Sequence, residues 1–223
     1  LVEELRTRAL VDGALVLRGQ AVEGSGLPYQ LWREVLPRFV LELELSDLEA
    51  GILKNAVPNI EMLLQRPIPD IPALSGKANE LRFALTVSAL FRRIQQPVLL
   101  ILEDLQWSSD LLPIKELMRI VSSLPQLVVA TYRDDERPDL ITDLPELSCL
   151  KLNRLNDTEI TLVSQSMLGK VGTQPVVLDL LKRETEGNLF FLVEVMRALA
   201  EESGGLAHIG EIGVNQPGFS DEF

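Results

Sequence analysis

The stretch Val98 to Asp110, VLLILEDLQWSSD, decides the fold. Five apolar residues, Val98-Leu99-Leu100-Ile101-Leu102, run unbroken between Pro97 and the acids Glu103 and Asp104. Side chains alternate between the faces of a strand, so an unbroken apolar run of this length fits a strand covered on both faces. That is the signature of a parallel sheet packed between helices. Leu127 to Thr131 reads the same way, Ala14 to Leu17 is a shorter version, and Ser148 to Leu152 reads as a fourth strand.

Helical periodicity fills the intervals. Leu1, Val2, Leu5, Ala9 and Leu10 recur at helical spacing before the turn Asp12-Gly13. A second pattern runs through Leu31, Val35, Leu36 and Phe39, where Pro37 is expected to kink or split the helix. Ser46 with Glu49 three residues on is a capping box. The prolines at 58, 67, 69 and 72 argue against any long element there. Glu80 to Ile94 is a strong helix with Leu81, Leu85, Ala89 and Phe91 among its apolar positions. Ser108-Ser109-Asp110 can cap a helix reaching about Leu124, with Pro113 in its first turn. The alternation of strand and helix predicts an α/β domain of right-handed βαβ units over residues 1–155.

Beyond Leu155 the strand signals stop. Asn156 and Glu159 form a second capping box, Pro175 to Glu186 is a helix ending at Gly187, and Asn188 caps a third helix to about Glu202. Its stripe is Leu192, Val195, Met196 and Leu199. A helical subdomain over 156–202 is therefore expected, and the glycine-rich tail 203–223 is expected to be disordered.

Composition limits the function. With 46% hydrophobic and 24% charged residues, the 223-residue chain can bury a core and keep it solvated. The net charge of −12 repels phosphate backbones, and basic residues occur singly or in pairs such as Arg92-Arg93, so no direct nucleic-acid contact is expected. Cys149 stands alone, which excludes an internal disulfide, and its apolar setting makes it a core candidate. His208 is the single histidine, a solvated residue of the tail. Trp32 and Trp107 read as packing residues. No apolar run approaches the roughly 20 residues of a membrane span, and a cytoplasmic protein, or a piece of one, is the expectation.

The chemistry-bearing residues sit at strand ends. Glu103 and Asp104 put two carboxylates at the C-terminal end of a buried strand, the edge where open α/β sheets bind ligands. In a nucleotide site the first acid, Glu103, would hold Mg²⁺, and the second, Asp104, would polarise the water attacking the γ-phosphate. A strand that simply ends in solvated acids is the competing reading. The next strand ends in Thr131-Tyr132-Arg133, where a guanidinium can sense a phosphate or pair with Asp134, Asp135 or Glu136.

These residues resemble a family. LLILEDLQW, VVATYRDDERPDL, LNRLNDTEI and ETEGNLFFLVEVMRAL, in that order, look like the AAA-type (origin-recognition-like) ATPase region of bacterial signal-transduction NTPases. The similarity is greatest to the region following the kinase domain in large bacterial serine/threonine kinases, and it extends to about Glu202. The resemblance implies a P-loop NTPase-like sheet with strand order 5-1-4-3-2, followed by a helical lid. It makes Glu103 and Asp104 the Walker B pair, with Glu103 where Asp is usual. Thr131 and Arg133 become the sensor strand end. Gly187 and Asn188 belong to the lid motif, with Leu189 in place of its frequent proline. ATP and Mg²⁺ are the implied cofactors, and the other domains of one signalling polypeptide are the implied partners.

A phosphate-binding loop needs Gly-x4-Gly-Lys-Ser/Thr. Gly76-Lys77 is followed by Ala78, and Gly169-Lys170 by Val171, so neither qualifies. The expectation is a chain that starts just after the Walker A motif, lacking the first strand, and that does not hydrolyse ATP by itself. A non-catalytic interaction or scaffold fragment is the alternative. Origin-type DNA binding ranks last, against the −12 charge.

Overall fold

The computed structural model describes residues 1–72 and 74–202. It shows two compact units, Leu1–Cys149 and a second beginning at Leu150. The first is α/β. Helix α1 (Val2–Val11) leads through Gly13 into strand β1 (Leu15–Gln20). Helices α2 (Trp32–Leu41), α3 (Asp47–Leu53), α4 (Ile60–Leu64) and α5 (Gly76–Arg93) precede β2 (Val98–Glu103). Helix α6 (Leu112–Val121), β3 (Gln126–Ala130) and the single turn α7 (Leu140–Asp143) complete it.

The strands form a parallel sheet in the order β1-β2-β3. Leu15 lies beside Val98 and Gln20 beside Glu103, while Val98 pairs with Gln126 and Leu102 with Ala130. This register sorts the apolar run by parity. Leu15, Leu17, Val98, Leu100 and Leu102 join the large core under α2, α5 and α6. Val16, Leu99 and Ile101 face the other way and are covered by Val2, Leu5 and Ala9 of α1. Both faces of β2 are thus buried, as its unbroken apolarity requires. Phe39 and Phe91 tilt together at 4.5 Å and Tyr29 stacks on Phe83 at 3.8 Å.

Several expectations are corrected. Helix α2 is not split at Pro37, which lies inside it. The expectation of no long element among the prolines stands, since only the five-residue helix Ile60–Leu64 forms there. In α5 the buried stripe is Phe83, Ala84, Val87, Leu90 and Phe91, while Leu81 and Leu85 are exposed. The cap of α6 is Leu111 rather than the serines before it. The largest correction concerns Ser148 to Leu152, which forms no strand. Leu150 and Leu152 are 76% and 72% exposed, and Cys149 is exposed rather than core. A strand must pair its backbone N–H and C=O groups with a neighbour. Among the described residues the sheet ends at β3, so this segment has none.

Gly19 explains how α2 reaches the sheet. A Cβ there would overlap the Leu31 carbonyl oxygen and come within 2.9 Å of Val35 Cγ2. Backbone at the start of α2 cannot yield as a flexible side chain can. Gly19→Ala is therefore expected to destabilise the protein by about 2–4 kcal/mol in urea unfolding, the upper range for overpacking.

The second unit is helical: α8 (Asp157–Leu168), α9 (Pro175–Thr185) and α10 (Leu189–Glu202). Ile160, Leu168, Val177, Leu181, Leu192, Met196 and Leu199 form its core. Both capping boxes, Ser46 with Glu49 and Asn156 with Glu159, are present. The tail 203–223, with His208, lies outside the described residues. Among the described residues no helix is long and apolar enough to cross a membrane.

Candidate functional site

The sheet register places the polar strand ends in one row. Gln20 is paired with Glu103, and one step further the same register sets Glu103 beside Thr131. All three continue the face that α1 covers, since they share parity with Val16, Ile101 and Val129. Asp104 follows with φ 57 and ψ 41, a left-handed conformation that Asp tolerates better than most residues. Its backbone N–H donates to Thr131 Oγ1 at 3.3 Å, and its Oδ2 accepts from Gln20 Nε2 at 2.7 Å. The left-handed turn and these two bonds tie the carboxylate to both neighbouring strands. Leu105 N–H donates to the Thr131 carbonyl at 2.9 Å, which fixes the turn that follows.

Glu103 is paired with Arg18, whose guanidinium also reaches Glu3 of α1 at 3.4 Å. The Glu103 hydrogen bond holds the Arg18 pKa above its ordinary value. Arg133 is 61% exposed in its side chain and pairs with Asp135 at 3.2 Å and Glu136 at 2.9 Å. Its backbone N–H donates to Gln106 Oε1 at 3.1 Å. Glu103, Asp104, Thr131 and Arg133 thus all lie at the C-terminal ends of β2 and β3.

Gly187 and Asn188 belong to the second unit and have local roles there. Gly187 makes the turn between α9 and α10 at φ 79, and its carbonyl accepts from Leu155 N–H at 2.7 Å. Asn188 Oδ1 accepts from Phe190 N–H at 3.0 Å at the start of α10. Leu189, Phe190 and Phe191 are exposed.

Among the described residues no group of three or more metal-ligating side chains gathers. A divalent cation at Glu103 and Asp104 would therefore take most of its shell from phosphate oxygens and water, as Mg²⁺ does when it arrives with a nucleotide. It would also have to compete with Arg18 for Glu103.

Sequence reasoning missed Arg18 and Gln20. Their signal was available: the strand Leu15–Gln20 turns polar at its C-terminal end, as β2 does. It also missed a cavity of about 310 Å³ between the segments 21–32 and 107–110. Trp107, expected to pack, is 37% exposed at this cavity, whereas Trp32 is fully buried. Asp110, expected as a cap, lines it instead.

Burial pushes the Asp110 carboxyl up from 3.8 to about 6, and the charge of Glu80 adds to the effect. The folded state then holds this proton more tightly than the unfolded chain does. Stability from this group is greatest below about pH 4, and it falls as the pH rises through about 6. Asp110→Asn removes the cost. We expect the variant to be more stable than the parent at about pH 7.5 by on the order of 1–2 kcal/mol, after discounting for partial exposure. Near pH 4 the two should unfold together, and urea unfolding at both values measures the difference.

Comparison with known proteins gives no match: no family model, no curated protein and no solved structure matches the chain.

Proposed function

We propose that these residues form the Walker B side of an ATP-binding regulatory switch in a P-loop NTPase-like fold, part of a bacterial signalling polypeptide. The observation that carries it is the strand-end row. Two acids close the central parallel strand, and the second is held by Gln20 and Thr131 from the strands on either side. The order β1-β2-β3 also corresponds to strands 2, 3 and 4 of the sheet that the resemblance implies. In this reading Glu103 faces Mg²⁺ of the Mg·ATP substrate and Asp104 orients the attacking water. Thr131 fixes the turn, and Arg133 exchanges its acidic partners for the γ-phosphate.

A second reading has an observation of its own. Glu103 is closed by Arg18, and Arg133 by Asp135 and Glu136. A non-catalytic interaction module would leave these pairs permanently in place. The two readings separate in calorimetry with Mg·ATP, using a polypeptide in which these residues follow a phosphate-binding loop. The switch reading expects saturable binding that Glu103→Gln weakens by about tenfold, or ~1.4 kcal/mol. Absent binding, or an affinity that Glu103→Gln leaves unmoved, favours the interaction module.

A further inference from the structure

We propose that the cavity between the β1–α2 segment and the β2–α6 segment binds a small organic cation, an apolar ring bearing one ammonium or amidinium group, with Asp110 as its anchor. The cavity lies within the first unit, and its walls are the segments that follow β1 and β2. It therefore opens at the C-terminal edge of the sheet, where α/β folds bind ligands. At about 310 Å³ it is at the small end of ligand sites. Val22, Leu27, Pro28, Tyr29 and Trp107 supply apolar lining.

The buried unpartnered side-chain atoms in this lining are mostly acceptors. Asp110 Oδ2 is buried without a hydrogen-bond partner, and so is Gln30 Oε1. Trp32 Nε1 is a buried donor without a partner in the same lining. Two buried acceptors without donors leave this wall with uncompensated negative polarity, which a cation lodged against it would offset. The charge around Asp110 makes that ligand a cation. Its charged neighbour is another acid, Glu80, and no ion pair joins Asp110 to a cation among the described residues. Arg82 lies near Tyr29 but does not line the cavity; its terminal nitrogens donate to the Pro72 carbonyl at 2.9 Å and Asn79 Oδ1 at 2.8 Å, and its Nε is buried without a partner. Burial and the charges of Asp110 and Glu80 raise the Tyr29 pKa, so its hydroxyl stays neutral. A cation entering here meets the carboxylate-bearing Asp110 wall and aromatic lining that favours it further.

Neither Glu103 nor Asp104 lines this cavity, and the proposal does not depend on the nucleotide reading. Trp107 supplies the signal, and benzamidine with its uncharged analogue benzamide are the probes. Benzamidine is expected to bind saturably, with benzamide at least about tenfold weaker. Asp110→Asn should lose benzamidine affinity by a similar factor while its circular dichroism stays that of the parent. Asp104→Asn should bind benzamidine as the parent does. Equal affinity for the two probes, unchanged binding by Asp110→Asn, or no saturation by about 10 mM would each overturn the proposal.

Discussion

Asp104→Asn is expected to lower ATP turnover by about 10²–10⁴-fold, the range for losing a positioned general base, while Mg·ATP affinity changes little. The test uses the polypeptide in which these residues follow a phosphate-binding loop. Asparagine is a close steric match. It accepts the left-handed conformation at φ 57 at least as well as aspartate. Its backbone N–H can still donate to Thr131 Oγ1, and its side-chain oxygen can still accept from Gln20 Nε2. What it removes is the negative charge that in the proposed switch would draw a proton from water, so the loss should appear in kcat and not in folding. Undiminished turnover would take the water-activating role from Asp104 and leave its bonds to Gln20 and Thr131 as a purely structural tie.

What was legible in the sequence was local. The unbroken run Val98 to Leu102 announces burial on both faces whatever surrounds it, and the structure splits it between two cores by parity. The capping boxes at Ser46 and Asn156 close within three residues, so their partners are visible in sequence. What depends on distant partners was not legible. The buried stripe of α5 is set by the helices it meets, which turn Phe83, Ala84 and Val87 inward and leave Leu81 and Leu85 outside. Ser148 to Leu152 carries strand-like composition, yet a strand exists only where another offers its edge. The Arg18–Glu103 pair joins residues 85 apart, and composition alone gives no hint of it. Asp110 has the identity of a helix cap, and only the path of segment 21–32 makes it the wall of a cavity.

Gly187→Ala is expected to unfold the second unit selectively, because two independent costs meet at one atom. At φ 79 an L side chain is strained by about 1–2 kcal/mol. The new Cβ would also overlap the Leu155 carbonyl oxygen and come within 3.1 Å of its nitrogen. That backbone cannot retreat freely, since Leu155 N–H donates to the Gly187 carbonyl at 2.7 Å and the same movement would break the bond. With about 1 kcal/mol more for that bond, the loss is on the order of 2–4 kcal/mol. The unit has only a small core around Leu181, Leu192 and Met196 to absorb it. Limited proteolysis should then cut within α8 to α10 while the α/β unit stays protected, whether or not nucleotide is present. Asn188→Ala, which removes the cap on Phe190 N–H, should act the same way at about 1 kcal/mol. If both variants resist proteolysis as the parent does and differ only in nucleotide affinity, the turn serves the ligand; if they open the helices, it serves the fold.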